Sequence, residues 1–330
     1  MKSLNRHVAA LIGGLAAVAY TGFAHEVVAA DAKSIVEALK TVAGNPEGFR
    51  ATFAKGQCVH GTYTPAPNVD RVTISKSFTQ PWPVIGRFSV SGGNPKVADT
   101  SKTALRGFSI KILSENDETH LLFENAPVHF AKTLDQMLGF LQARAPAADG
   151  KPDPARIAAF TRNNPETMRQ ADFIKEKLLP ASYAGIVYWG VHVFTGTNND
   201  GSKVPFKFKV MPRAGELTVS DAEAANKPAS FLVSELTDRL GDGPATFDII
   251  ALLAQPIDRR DDVTLRWNEE DTHPTVTLGS IAVTGLEPNT TCDETIFDPG
   301  LLAAGIDAPT DEIFSARTTA YAISLGLRSK

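Results

Sequence analysis

Cysteine is almost missing from this 330-residue sequence; only Cys58 and Cys292 are present. Two thiols cannot build a cysteine-based zinc site, and the 7 histidines fall in no zinc-ligand spacing. Charge of one sign is equally scarce. Lys and Arg number 33 against 37 Asp and Glu, a net −4 with no basic run, which argues against a nucleic-acid surface. After residue 30 no apolar run is long enough to cross a bilayer, and there is no internal repeat or low-complexity linker. What remains has the composition of a globular protein of one large or two ordinary domains.

The first thirty residues differ from the rest. Lys2 and Arg6 form a short positive region, followed by the apolar run from Val8 to Tyr20 and then small residues that offer cleavage after Ala24 or Ala30. That is the pattern of a secretory leader. The expectation is an exported, periplasmic protein, with 1–30 as leader and 31–330 as one domain, and no stable membrane insertion once the leader is removed. An oxidising compartment permits Cys58 and Cys292 to pair, but spacing cannot supply the geometry. Cys58 sits in a β-like run and reads more simply as a small buried apolar residue.

Along the chain, Ala32 to Val42 has the spacing of an amphipathic helix stopped near Gly44-Asn45-Pro46. Strand patterns follow at Lys55–Pro65, Val72–Ser75, Gly86–Val90, Leu105–Leu113, His120–Phe123, Gly185–Phe194, Val204–Val210, Thr246–Leu253, Asp262–Trp267 and Thr275–Thr284. Asn198-Asn-Asp-Gly201 is a hairpin signal. Helical patterns lie at Phe130–Ala143, in two pieces between Pro152 and Leu179, and at Ala229–Leu240. Alternating strands joined by hairpins, with helices inserted, predict an α+β protein built on an antiparallel barrel or curled sheet.

The stretch from Phe314 to Arg328 carries the functional signal. Arg317, Tyr321 and Arg328 stand at i, i+4 and i+11, along one face of a helix whose other positions are small or apolar. Burying a phenol one turn from a guanidinium is costly unless each has a partner. A nearby cation favours a phenol's anionic form, and a tyrosinate can hold haem iron, as in catalase. Taken alone, the stretch also fits a helix with a surface Arg and a half-buried Tyr.

With Phe297-Asp298-Pro299 and the Pro309 region, this segment resembles the proximal haem segment of the haem catalases. Further segments resemble that family in its order: Val59-His60-Gly61 its distal His segment, Gly86-Arg-Phe-Ser-Val90 its Arg and Ser strand, Leu105–Lys111 its Arg-Gly-Phe strand, Asn125–Phe130 its Asn-x-Pro-Val-Phe-Phe turn, and Trp189–Val210 its central hairpin. The likeness runs from about Gly56 to Arg328. The short chain and the leader look most like the catalase-related peroxidases, a minimal branch of that fold.

The resemblance implies a catalase-like fold, an antiparallel β-barrel with surrounding helices and a C-terminal haem-ligand helix. The cofactor would be haem b and the substrate hydrogen peroxide or an organic hydroperoxide, with an unknown electron donor and a possible homo-oligomer. Tyr321 would be the axial ligand and Arg317 its hydrogen-bonding cation. His60 would move the peroxide proton as base and then acid, with Ser89 fixing its tautomer. Arg87 and Arg328 would bind propionates, and Arg106 would support the haem.

Three departures from the family pattern stand out. Glu124 occupies the place of the distal Asn, either as a second proton carrier or pointing away. An ionised carboxylate over the haem would disfavour anionic peroxide and slow catalatic turnover. Gln57 stands three before His60, where catalases carry a propionate-binding Arg, and the helical region that follows in full-length catalases is missing.

The other candidates read as structural. His129 and His192 suit core or hydrogen-bonding roles, His120 and His273 solvated ones, Asn268–Asp271 a solvated turn, and Trp82 and Trp189 core or rim positions. Rival functions are a haem hydroperoxide isomerase of the allene oxide synthase kind, against which Val59 counts, a non-catalytic exported haem carrier, and an exported binding module without haem.

Overall fold

The structure, a computed structural model, describes residues 29–115 and 117–329. The expected leader lies outside them except for its last two positions. Among the described residues, eight strands close into an antiparallel barrel: β1 (Lys55–Pro65), β2 (Trp82–Val90), β3 (Arg106–Ile112), β4 (Thr119–Glu124), β5 (Tyr188–Trp189), β6 (Lys203–Pro212), β7 (Ala245–Leu253) and β8 (Thr275–Leu286). The order round the barrel is β7-β8-β1-β2-β3-β4-β5-β6, with β6 pairing back to β7. A short strand, Phe194–Thr197, extends the rim as a hairpin with the start of β6.

The period of two along each strand divides the residues between two environments. Inward positions are apolar and fully buried: Phe88 and Val90 on β2, Phe108, Ile110 and Ile112 on β3, Phe206 and Phe208 on β6, Phe247 and Ile249 on β7. Phe88 and Phe108 stack with ring centroids 4.4 Å apart, and Phe247 tilts against Phe108 at 5.2 Å. Each such side chain contributes about 1.5–3 kcal/mol by leaving water. The outward positions of β1 to β4 carry different chemistry, and helices cover them.

Those helices are α1 (Ala32–Val42), α2 (Leu134–Arg144), α3 (Arg169–Lys175) and α4 (Glu312–Arg328). Helix α1 begins with a capping box: the Asp31 carboxylate accepts from Ser34 N, and the Ser34 hydroxyl accepts from Asp31 N. Thr133 caps α2 and Asp311 caps α4, each accepting from the third backbone N–H on.

Several elements depart from the sequence expectation. Val72–Ser75 is not a strand; it links two short helical turns, and Thr73 Oγ1 donates to Gly305 O instead. Nor is Asp262–Trp267, where the Asp262 carboxylate takes both the backbone N–H and the hydroxyl of Thr264. A side chain that competes in this way for the backbone breaks a ladder. The Gly185–Phe194 run pairs as a barrel strand only at Tyr188–Trp189.

Cys58 is not a free apolar residue. It is bonded to Cys292, with Cα atoms 5.8 Å apart across 234 positions of sequence. The bridge fastens the segment around Cys292 and Phe297 over the outer face of β1 and β2.

Candidate active site

Between that outer barrel face and the helices lies a cavity of about 740 Å³, lined by residues of β2 to β4, α1, α2, α3 and α4. Its two walls are built differently.

The helix wall is a chain of hydrogen bonds anchored in the cap of α4. Asp311 Oδ1 accepts from Phe314 N at 2.8 Å, while its Oδ2 accepts from His192 Nδ1 at 2.8 Å. With Nδ1 protonated, His192 Nε2 is free to accept from Arg317 Nη1 at 2.8 Å, and Arg317 Nη2 donates to the Tyr321 hydroxyl at 3.0 Å. Burial pushes the His192 pKa down and Arg317 adds to that effect, outweighing Asp311, so the imidazole is neutral. Burial works to raise Asp311, but the bonds from His192 and the cap hold its carboxylate below the ordinary range. Burial likewise works against the charge on Arg317, and Tyr321, Glu124 and Asp311 together overcome it.

The sheet wall is set by register. Gly56, Ser89, Gly107, Glu124 and Trp189 are directly opposed across five neighbouring strands, which places them on one face. Ser89, Gly107, Glu124 and Trp189 all line the cavity. Gly107 has no side chain because there is no room for one: a Cβ there would come within 2.6 Å of Ser89 Oγ and 3.1 Å of Phe53 Cδ1. Phe53 lines the cavity with its backbone at φ 52°, a left-handed conformation that is strained for a bulky residue. Arg87 braces this corner by donating to Phe53 O at 2.9 Å and Ala54 O at 3.1 Å.

At one rim three guanidiniums, Arg50, Arg87 and Arg328, gather round the single carboxylate of Asp293. Burial and the nearness of Arg50 bring Arg87 and Arg328 down to about 10. Arg50 Nε and Arg87 Nε are buried without a hydrogen-bond partner. This is an excess of positive charge with unused donors, suited to carboxylates on a bound molecule. A cavity with such a rim, apolar walls from Ile35, Val36, Leu39 and Met137, and a phenol held by a cation has the donor set of an iron-porphyrin site.

The structure brings together Tyr321, Arg317, Ser89, Arg87 and Arg328 around this cavity. It does not bring His60. On β1, His60 lies four residues from Gly56, roughly 13 Å along the strand, and the Cys58–Cys292 bridge with the segment over it stands between. Its ring packs on Gly285, its Nδ1 faces Glu287 Oε1 at 2.8 Å, and its side chain is 44 % exposed. The aromatic side chain beside Ser89 is Phe53.

Arg106 is also outside. Its guanidinium is buried and bonded to the backbone oxygens of Ala104, Asp99 and Ser101, so it holds the 99–104 loop. Arg50, which the sequence did not single out, lines the cavity; Gln57 donates to Cys58 O and Glu287 O, away from it.

Among the residues read as structural, Trp189 and His129 line the cavity and His192 completes the helix wall. His120 and His273 are buried and hydrogen-bonded, not solvated. Glu270, expected in a solvated turn, is buried between Lys207 and Arg266. The sequence held a signal for the missed network, since Asp311 is the helix cap six residues before Arg317, but nothing local ties it to His192.

The catalase family model matches residues 45–328. A catalase-related peroxidase of Synechococcus elongatus is 31% identical over 95% of this chain and 92% of its own length. One of Mycolicibacterium paratuberculosis is 30% identical over 89% and 93%. Among solved structures, a fungal catalase superposes with a TM-score of 0.76 at 19% identity, covering 86% of this chain and 60% of its own. Catalase A from Saccharomyces cerevisiae gives 0.76 at 18%, covering 89% and 64%. The chain belongs to the catalase family, whose members are oxidoreductases acting on peroxide, and its likeness to the catalase-related peroxidases runs nearly end to end.

Proposed function

We propose that this chain is a haem-dependent peroxidase that reduces hydrogen peroxide or an organic hydroperoxide, with Tyr321 as the axial iron ligand. The observation that carries the reading is the Asp311–His192–Arg317–Tyr321 chain, which holds a phenol at a cavity bordered by three guanidiniums that share one carboxylate. Haem bound there would supply the electrons that cleave the peroxide bond, to be restored by an external reductant.

The protein's own residues do the rest. Arg317 donates to the oxygen of Tyr321, which lines the cavity. His192 and Asp311 hold Arg317 in place, as outer partners of a metal ligand do. Arg50, Arg87 and Arg328 bind the propionates. The apolar side chains of α1 and α2 exclude water. Haem b fits, because among the described residues both cysteines are in the disulfide and none is free for thioether attachment.

A disulfide also supports export into an oxidising compartment, with 1–30 as a leader and 31–330 as the mature domain. N-terminal sequencing of the mature protein tests that part.

The test of the function is an absorption spectrum of the haem-reconstituted protein beside Tyr321→Phe, before and after a peroxide pulse. The expected result is a high-spin ferric spectrum that responds to peroxide in the wild type and is lost in the variant. Identical spectra would rule out the ligand assignment. The absence of His60 from the cavity favours one second reading, a haem carrier, and a wild-type spectrum unmoved by peroxide would select it.

A further inference from the structure

We propose that Glu124 is the catalytic residue that moves the peroxide proton in this protein. The proposal rests on the haem reading above and goes beyond it, because the imidazole expected for that task lies outside the cavity.

Three observations carry it. The first is position. Glu124 rises from the sheet wall, in register with Ser89 and Gly107, while Tyr321 reaches in from α4 on the other side. A haem held by Tyr321 would occupy the cavity that Glu124 also lines. The second is what the carboxyl touches. Gln170 Nε2 donates to Oε1 at 2.7 Å, and the same amide nitrogen donates to Val128 O at 2.8 Å, fixing the side chain from α3. The other oxygen, Oε2, makes no hydrogen bond among the described residues.

The third is the lack of a competitor. The titratable groups lining the cavity are Arg50, Arg87, Lys102, Glu124, His129, Lys175, Arg317, Tyr321 and Arg328. A guanidinium or ammonium cation has no free lone pair with which to accept a proton, and on the haem reading Tyr321 holds the iron. His129 binds Ala131 through Nδ1 and lies near His192 and Arg317, and burial brings it down to about 4. Burial pushes Glu124 up to about 7, against the pull of Arg317 and Gln170. A group poised there accepts and returns a proton with the least penalty near neutrality.

The Glu124 carboxylate takes the proton from the inner oxygen of the hydroperoxide, and its acid form returns that proton to the outer oxygen. As the O–O bond breaks, the outer oxygen leaves as water, or as an alcohol from an organic hydroperoxide. The two electrons would be supplied by the bound cofactor and restored by the reducing co-substrate, whose two electrons and two protons release the inner oxygen as water. Because the carboxylate form starts the sequence, the rate rises with pH through about 7.

Glu124→Gln keeps the shape and removes the proton exchange. In the haem-loaded protein the variant is expected to react with peroxide roughly 100-fold more slowly or worse, with the pH step gone and the resting spectrum unchanged. Infrared titration of the haem-free protein gives an independent readout. A protonated-carboxyl band should disappear near neutral pH in wild type and be absent from Glu124→Gln. Gln170→Leu removes a donor to the ionised form and should move both the pH step and the band to higher pH.

Wild-type speed in Glu124→Gln, a loss of rate confined to His129→Phe, or a carboxyl that stays ionised down to the ordinary carboxylate range would each overturn the proposal. If instead Tyr321→Phe binds haem as wild type does, the haem reading fails, while the infrared titration still reports on Glu124.

Discussion

The two walls of one cavity obey different rules. On the helix wall, Arg317 and Tyr321 are one turn apart on α4, and the helix itself brings their side chains together at 3.0 Å. On the sheet wall, Ser89, Gly107 and Glu124 come from three strands far apart in sequence and meet only through register. The helix wall is a closed network in which each polar group has its partner. The sheet wall is open, with a strained Phe53 beside Ser89, where the resemblance implied His60, and a carboxyl with one oxygen unengaged among the described residues. One wall fixes its phenol; the other leaves a carboxyl oxygen without a partner among the described residues.

Breaking the anchor of the helix wall should have the largest effect. Asp311→Ala removes a helix cap, about 1 kcal/mol, and leaves the buried His192 N–H unpaired, about 1–3 kcal/mol more. A combined loss of roughly 2–4 kcal/mol in urea unfolding is expected, together with weaker haem binding. A change within about 0.5 kcal/mol would mean that the network is not under tension from its cap.

Phe53→His sharpens the contrast from the other side. It would put an imidazole next to Ser89 on the cavity face, the arrangement that the family pattern ascribes to His60. Peroxide turnover should rise about tenfold or more, given the usual contribution of a placed acid–base group. No gain would show that the corner at Phe53 does not face the bound peroxide.

Stability against pH gives a smaller but direct reading of the sheet wall. Burial lifts Glu124 from 4.5 to about 7, so the folded protein holds this proton more tightly than the unfolded chain. The sign follows from linkage: the contribution is fully present below the unfolded value and is lost as pH rises through about 7. Arg317 from α4 and Gln170 from α3 are the charged and polar groups that oppose the shift. Thermal unfolding of Glu124→Gln should therefore be flatter than wild type between about pH 5 and 8. Parallel curves would remove Glu124 from the pH response.

The smallest effect is expected at His60, outside both walls. His60→Ala removes a half-exposed contact with Glu287, which is worth no more than about 1 kcal/mol. Peroxide turnover should match wild type, and a large loss of rate would restore His60 to the chemistry.

The sequence alone determined the barrel class, through strands whose alternate positions are apolar, and the helix that pairs a guanidinium with a phenol, through the i, i+4 spacing of Arg317 and Tyr321. A helix fixes relative positions within a few residues, so its chemistry can be read from one segment. It could not determine what faces what across strands. His60 and Ser89 look alike as outward residues of neighbouring strands, yet only the fold shows that the Cys58–Cys292 bridge and the segment over it separate His60 from the cavity that Ser89 lines. Arg50, Phe53, His192 and Gln170 were illegible as site residues for the same reason. Each reaches the cavity, or the groups that line it, through contacts across more than thirty residues of sequence, and such contacts are set by packing of the whole chain, which no local pattern encodes.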